Sequence, residues 1–443
     1  MSQRTDWKGA VVVALSFAVL GMAACGSSGG AESGLSKRAF VSDYADGTLH
    51  IENAAIDEES GFTIATGNQP GTMALSADKV LTLVFDAGDF SMAVVSNHLE
   101  AIQGRIALPS LTTSYAVMSD DINAFVAVPN CPLAACGGFS NVVEDIDVYT
   151  NFDVAQTVNV ALNTNTGLYE PLNVARTLVL SPTESKLLVF GGPGDHQDTF
   201  TVIDTGLAES TPATAGILMS GAAFDKPVSA VFTTDGTKAF ILNCGPECGG
   251  TAASVTLVDL TTTPPTPGTP VPVPAATVGL LSGTTLYVAG TPSGTVGALA
   301  GRISVLDTTA LANGPTSTVP ISDGTHSLMV LGSDNKLFIG AGPNCSAGCL
   351  SIFDTGTKES GVDGPPPAGN GTGNVTGIAP INGRSVMYVI EDVAAGSFHC
   401  AGQLPCLGKL RIYDTTVSAT TPTLQPIQID VVGRAVDVKY IDQ

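Results

Sequence analysis

Beyond residue 36 the chain is written in short runs of five to seven residues, apolar throughout or alternating with polar positions, each closed by Gly, Asp, Asn or Pro. One stretch shows the frame clearly. Residues 228–232 (VSAVF) reach an Asp235-Gly236 turn, residues 238–243 (KAFILN) follow, and residues 254–260 (SVTLVDL) come after a loop. A Pro/Thr-rich crossing then leads to an outer run near residues 270–274 (PVPVP). Runs of this length, rich in β-branched residues and bounded by turn formers, predict strands, and no window carries a convincing helical period.

The frame recurs. First, second and third strands are predicted at TMALS, KVLTLVF and SMAVVS, then at YAVMS, AFVAV and EDIDVY, and then at TLVLSPTES, KLLVF and FTVIDT. They continue through VGLLS, TLYVAG and ISVLDT, SLMVLGS, KLFIG and LSIFDT, and finally VTGIAPING, SVMYVI and LRIYDT. Five third strands end in Asp-Thr or a near equivalent, with the aspartates at 204, 259, 307, 354 and 414, 47 to 60 residues apart. That period is the size of a propeller blade. A single unit of this kind cannot bury its own apolar face and must stack on its neighbours. The ends complement each other: residues 37–54 supply second and third strands with no first, and residues 433–442 (GRAVDVKYID) form a lone first strand. Joining them closes a ring and removes its open edges. The expectation is an all-β propeller of four-stranded blades, eight in number, or seven if one irregular repeat is miscounted. The recurrent aspartate is expected to cap the turn after the third strand.

The passage from the first strand through Ser181-Pro182 and KLLVF to TVIDT resembles the YVTN-type repeat of bacterial propellers, as do KRAFVSDY…TLHIENA near the start and VGRAVDV near the end. The likeness covers most of residues 37–443, although the literal Y-V-T-N is missing and the cysteine loops are additions. It implies a surface or periplasmic protein, in a group that also holds lactonase-like and amine-dehydrogenase-like enzymes of similar shape.

Residues 1–24 read as a signal peptide: Arg4 and Lys8 lead into an apolar run from Gly9 to Leu20 that is too short to span a bilayer. Met22-Ala23-Ala24-Cys25 resembles a lipobox, with Met22 in place of the usual Leu. That resemblance implies that Cys25 is lipidated. Gly26 after it points to the outer membrane, on its periplasmic side or at the surface. Residues 25–36 form the lipidated tether, which reaches about 18 Å as a flexible chain, and residues 37–443 form the propeller.

Charge narrows the partners. The chain has 40 Asp and Glu against 18 Lys and Arg, a net charge of −22, and its one Trp is Trp7. So few cations cannot neutralise phosphates, which argues against nucleic acid and anionic lipid. Without Trp in the body, the chain is no regular tryptophan–aspartate or quinone-cofactor propeller. After Cys25, eight cysteines fall into local pairs: Cys131/Cys136, Cys244/Cys248, Cys345/Cys349 and Cys400/Cys406. In an exported chain such pairs read as disulfides; the spacings miss both the two-residue gap of zinc knuckles and the C-x-x-C-H of haem attachment.

All four pairs fall between second and third strands, on the rim shared with the crossovers between blades. Loops held by a rigid scaffold concentrate binding residues, so this rim is the expected functional face. Candidate ligand-binding residues there are Asp195, His196 and Asp198, Asp323 and His326, Glu391, Asp392 and His399, with Arg176 and Arg434 where crossovers enter inner strands. Carboxylates and imidazoles converging on a central funnel can hold Ca²⁺ or work as acid and base. No cofactor is expected; Ca²⁺ is the ion the residues admit. No H-E-x-x-H, G-x-S-x-G or P-loop stands in the strand–helix setting that catalysis would need. The leading expectation is a membrane-anchored binding scaffold that meets a periplasmic or extracellular protein or ligand. The alternatives are a lactonase-like or metal-dependent hydrolase with its site in the funnel, and a structural envelope component.

Overall fold

The structure, a computed structural model, describes residues 33–160, 162–163, 168–169, 174–191, 198–342, 345–346, 348–363, 374–392, 407–416 and 429–442. It is an eight-bladed β-propeller. Eight antiparallel sheets, each ordered first to fourth strand from the axis outward, stand around a central channel. Inner strands are Ala435–Asp442 in blade one, Pro70–Leu75 in two, Ser114–Val117 in three and Thr177–Leu180 in four. Pro227–Phe232, Val278–Ser282, Thr325–Leu331 and Asn374–Pro380 follow in blades five to eight.

The ring closes as its ends foretold. Lys37–Asp43, Thr48–Asn53 and Glu58–Ala65 make the second to fourth strands of blade one, and the C-terminal strand pairs with the first of these from Lys37↔Asp442 to Asp43↔Ala435. The outer strand of blade five is split, with Thr266–Pro267 and Val271–Pro272 pairing separately with the third strand.

Second strands explain the uninterrupted apolar runs, because neighbouring sheets cover both of their faces. In KAFILN, Ala239 and Ile241 pack toward blade four, whereas Phe240 and Leu242 pack toward blade six. Each of the eight interfaces between blades carries an apolar cluster of its own. The core is therefore a wheel of wedges, and stability rests on contacts between neighbours.

The Asp-Thr phrase proves to be a corner device. Asp204, Asp259, Asp307, Asp354 and Asp414 each accept a backbone N–H two or three residues on, from Leu207, Thr261, Thr309, Gly356 and Thr416 among others. The following residue ties this corner to the turn between first and second strands of the same blade: Thr308 N donates to Thr284 O, Thr355 N to Asn335 O and Thr415 N to Ser385 O. Asp204 goes further and starts a six-residue helix, Thr205–Ser210, that the strand-only reading did not foresee. Among the described residues no helix is long and apolar enough to cross a membrane.

Candidate functional site

In this topology the second-to-third-strand loops and the crossovers between blades share one face, called here the loop face. The remaining connections form the turn face. Three of the expected disulfides are formed on the loop face: Cys131–Cys136 in blade three, Cys244–Cys248 in blade five and Cys345–Cys349 in blade seven. Cys400 and Cys406 lie outside the described residues. Buried Glu144 packs against the first bridge, with Cys136 Sγ 3.4 Å from its Oε1 and Thr157 Oγ1 donating to its Oε2 at 2.6 Å. Burial lifts the Glu144 carboxyl to about 7. The sulfurs are bonded to each other, so this trio offers no thiolate for a metal.

Between the other two bridges the loop face opens into a cleft of about 410 Å³, lined among others by Glu247, Thr291, Val296, Asp323, Gly324 and Ser346. The blade-six loop from Thr291 to Gly297 supplies most of its wall, and each braced loop contributes one side chain. Glu247 sits inside the Cys244–Cys248 bridge and Ser346 inside Cys345–Cys349. Gly245, at φ 58°, lets the first loop fold back on itself: a Cβ there would stand 2.3 Å from the Ala253 nitrogen. Glu247 Oε2 accepts from Thr291 N at 2.9 Å, and Thr291 Oγ1 donates to Gly324 O at 2.7 Å. Burial raises the Glu247 carboxyl to about 7 against the pull of that backbone donor. Asp323 is buried, and its two oxygens accept from Ser346 N (2.7 Å) and Ser346 Oγ. The crossover into blade seven is thereby tied to its disulfide loop. No Lys or Arg lines this cleft, so its field is negative.

Of the described residues singled out in the sequence, Asp323 is the one that lines the cleft. His326 follows on the inner strand that this crossover enters but is buried beneath, beside Gly301 and the Ser322 carbonyl, with neither nitrogen in a well-aligned hydrogen bond. Burial drives it down to about 4, so the ring is neutral. Asp198 pairs with Lys226 at 2.9 Å on the crossover into blade five. Glu391 pairs with Arg411 at 3.0 Å in blade eight. Asp392 pairs with Asn374 in the ladder; its side chain, like Asp195, His196 and His399, is outside the described residues. Arg176 anchors the entry to blade four, its N–H donating to Phe190 O and its carbonyl accepting from Thr113 Oγ1. Arg434 donates its backbone N–H to Asp43 and lays its guanidinium 4.8 Å from the Tyr44 ring centroid.

Glu247, Thr291 and Ser346 were not singled out in the sequence, although an acid enclosed by a Cys-x-x-x-Cys loop is a readable cue. Also unforeseen is His50, buried on blade one with Nε2 3.4 Å from Asp43 Oδ2 and Nδ1 4.0 Å from Glu59. Burial alone lowers the basicity of His50, but Asp43, Glu52 and Glu59 more than reverse this and raise it.

No protein-family model matches this chain, and no curated protein matches it. Among solved structures it is similar to the dihydro-heme d1 dehydrogenase NirN in complex with DHE (TM-score 0.63, 12% identity, covering 91% of this chain and 75% of that one). It is also similar to apo AztD from Citrobacter koseri (TM-score 0.55, 12% identity, 91% and 98%). At these identities the likeness establishes the propeller fold alone.

Proposed function

We propose that this chain is a lipid-anchored propeller of the cell envelope, held by Cys25, that works as a binding scaffold through its loop face. One observation carries the reading: in the cleft between blades five and seven, two disulfide-braced loops bring Glu247 and Ser346 onto the same lining as the blade-six loop from Thr291 to Gly297. Bracing removes loop entropy that a ligand would otherwise have to offset, and a cavity of this size suits a small ligand or an inserted side chain. The lack of a catalytic motif in a strand–helix setting and the paired state of Asp198 and Glu391 favour recognition over turnover.

The test is a thermal-shift panel of divalent cations, sugars, amino acids, amines and short peptides on the full-length protein and on Ser346→Arg, which fills the cleft. Saturation at about a hundred times Kd adds roughly 2.7 kcal/mol. A ligand that stabilises the wild type but not Ser346→Arg supports the reading. Ligands that stabilise both equally, or a panel with no response, overturn it; the second result favours a structural envelope component.

A further inference from the structure

The turn face is lopsided. Ile56 in blade one, Val80 and Leu99 in two, Ile122 and Tyr149 in three and Leu207 in four all lie on its turns, each 42 to 64% exposed. Among the described residues the turns of blades five to eight on this face expose no large apolar side chain to that degree. Isolated exposed apolar residues are ordinary, but a run of them on adjacent blades marks an interaction surface.

The sector is also knit together. Asn97 N donates to Val80 O, which sets Leu99 beside Val80, and Val148 N donates to Ile122 O, which sets Tyr149 beside Ile122. Between blades, Ser119 donates through both N and Oγ to Glu184, at 2.8 Å each. Carboxylates fill the gaps. Asp78 and Asp121, on turns of neighbouring blades, lie close enough to act on each other electrostatically. Asp120, Asp147 and Glu209 crowd Asp145, which is buried with Oδ1 unpartnered. The two lysines on these turns are already committed, Lys79 to Asp442 and Lys186 to Asp204. The surface is thus apolar and mainly negative; Lys37, where the second strand of blade one begins, donates to the Asn382 carbonyl.

We propose that this sector of the turn face is a docking surface for a protein partner that presents basic residues alternating with apolar ones. Charge complementarity selects that occupant. A second copy brings the same carboxylates and a net charge of −22, nucleic acid and anionic lipid are repelled in the same way, and a purely basic chain leaves the apolar residues wet. The surface lies opposite the cleft face, so one molecule can hold a ligand and a partner at once.

The test measures binding of three synthetic peptides of equal length to the immobilised full-length protein: alternating Lys-Leu, alternating Lys-Ser and alternating Glu-Leu. Physiological salt, about 150 mM, limits long-range attraction to roughly 8 Å. The Lys-Leu peptide is expected to bind at least tenfold more tightly than either control. The double substitution Leu99→Ser with Tyr149→Ser, and separately Asp78→Asn with Glu209→Gln, should each weaken it about tenfold with melting temperature unchanged. Leu299→Ser with Leu133→Ser, both exposed on the loop face, should leave it intact. Equal binding of the three peptides, loss on the loop-face pair only, or no effect of either turn-face pair overturns the proposal. So does a concentration-dependent dimer that Tyr149→Ser breaks, because the occupant is then a second copy.

Discussion

Glu52 makes the sharpest prediction. It lies on the third strand of blade one, fully buried, with neither carboxylate oxygen in a hydrogen bond. His50 stands two residues away on the same strand, Glu59 comes from the fourth strand and Tyr388 from blade eight. Burial dominates, and it raises the carboxyl from 4.5 to about 8. The folded protein therefore keeps a proton that the unfolded chain releases above pH 4.5. The stabilisation is complete below pH 4.5 and is lost as pH climbs to about 8. A pKa difference of about 3.5 units corresponds to about 5 kcal/mol. With unfolding entropy near 2.1 cal/mol/K per residue over roughly 400 residues, that is about 6 °C in Tm. The perturbation is Glu52→Gln, which keeps the shape and removes the titration. The assay is calorimetric Tm from pH 4.5 to 8.5 for both proteins. Burying an amide without partners destabilises the variant at acid pH by about 1–3 kcal/mol, a constant offset, so the slope is the quantity to read. The difference between variant and wild type should move by about 6 °C in the variant's favour across the range. Parallel curves, constant to about 1 °C, would refute the reasoning.

Other outcomes follow from the same structure. Asp86 raised to about 6, and Glu144 and Asp145 raised to about 7, all primarily by burial, also weaken the fold as pH rises. Asp204 and Asp354 are lowered: burial opposes the shift, but Lys186 and Lys336 and the turn N–H groups outweigh it, so their support is lost as pH falls below about 3.8. Wild-type Tm should therefore peak near pH 4–5 rather than at neutrality. Arg384→Ala should cost about 3–5 kcal/mol by denaturant unfolding, because it strands buried Asp57, which receives the guanidinium and the Tyr388 hydroxyl. Gly301→Ala should be destabilising and recovered mainly in the insoluble fraction, since a Cβ there would stand 2.0 Å from Ser322 O and 2.8 Å from His326 Cε1. Reduction should lower stability by about 2 kcal/mol per small loop and abolish any ligand shift that Ser346→Arg also abolishes.

The architecture was legible because the repeat states it twice, in strand runs such as KLLVF that are buried on both faces and in the Asp-Thr corner. Ring closure was legible because 37–54 and 433–442 each lack what the other supplies. The six-residue helix after Asp204 was not, since one turn shows no period and hangs on a single capping bond. The cleft was half legible. Asp323 precedes an inner strand and could be flagged by position, whereas Glu247 and Ser346 meet it because blades five, six and seven are adjacent in the ring. That juxtaposition across dozens of residues is a fact of topology and not of local pattern. The burial of His326 is likewise decided by Gly301 on the neighbouring blade.

The shared blade also fixes the order of events during manufacture. A chain threaded out with its N-terminus first presents Lys37–Asp43 early, but the partner of that strand, Ala435–Asp442, emerges only after the strands of the other seven blades. Until then seven blades stand as an open crescent with a hydrogen-bonding edge at one end and an uncovered wedge at the other. Any chain cut short by even the final ten residues stays in that state, exposed to proteases and to its own kind. The closing strand thus works as a latch, and the seam is hidden only once it has docked.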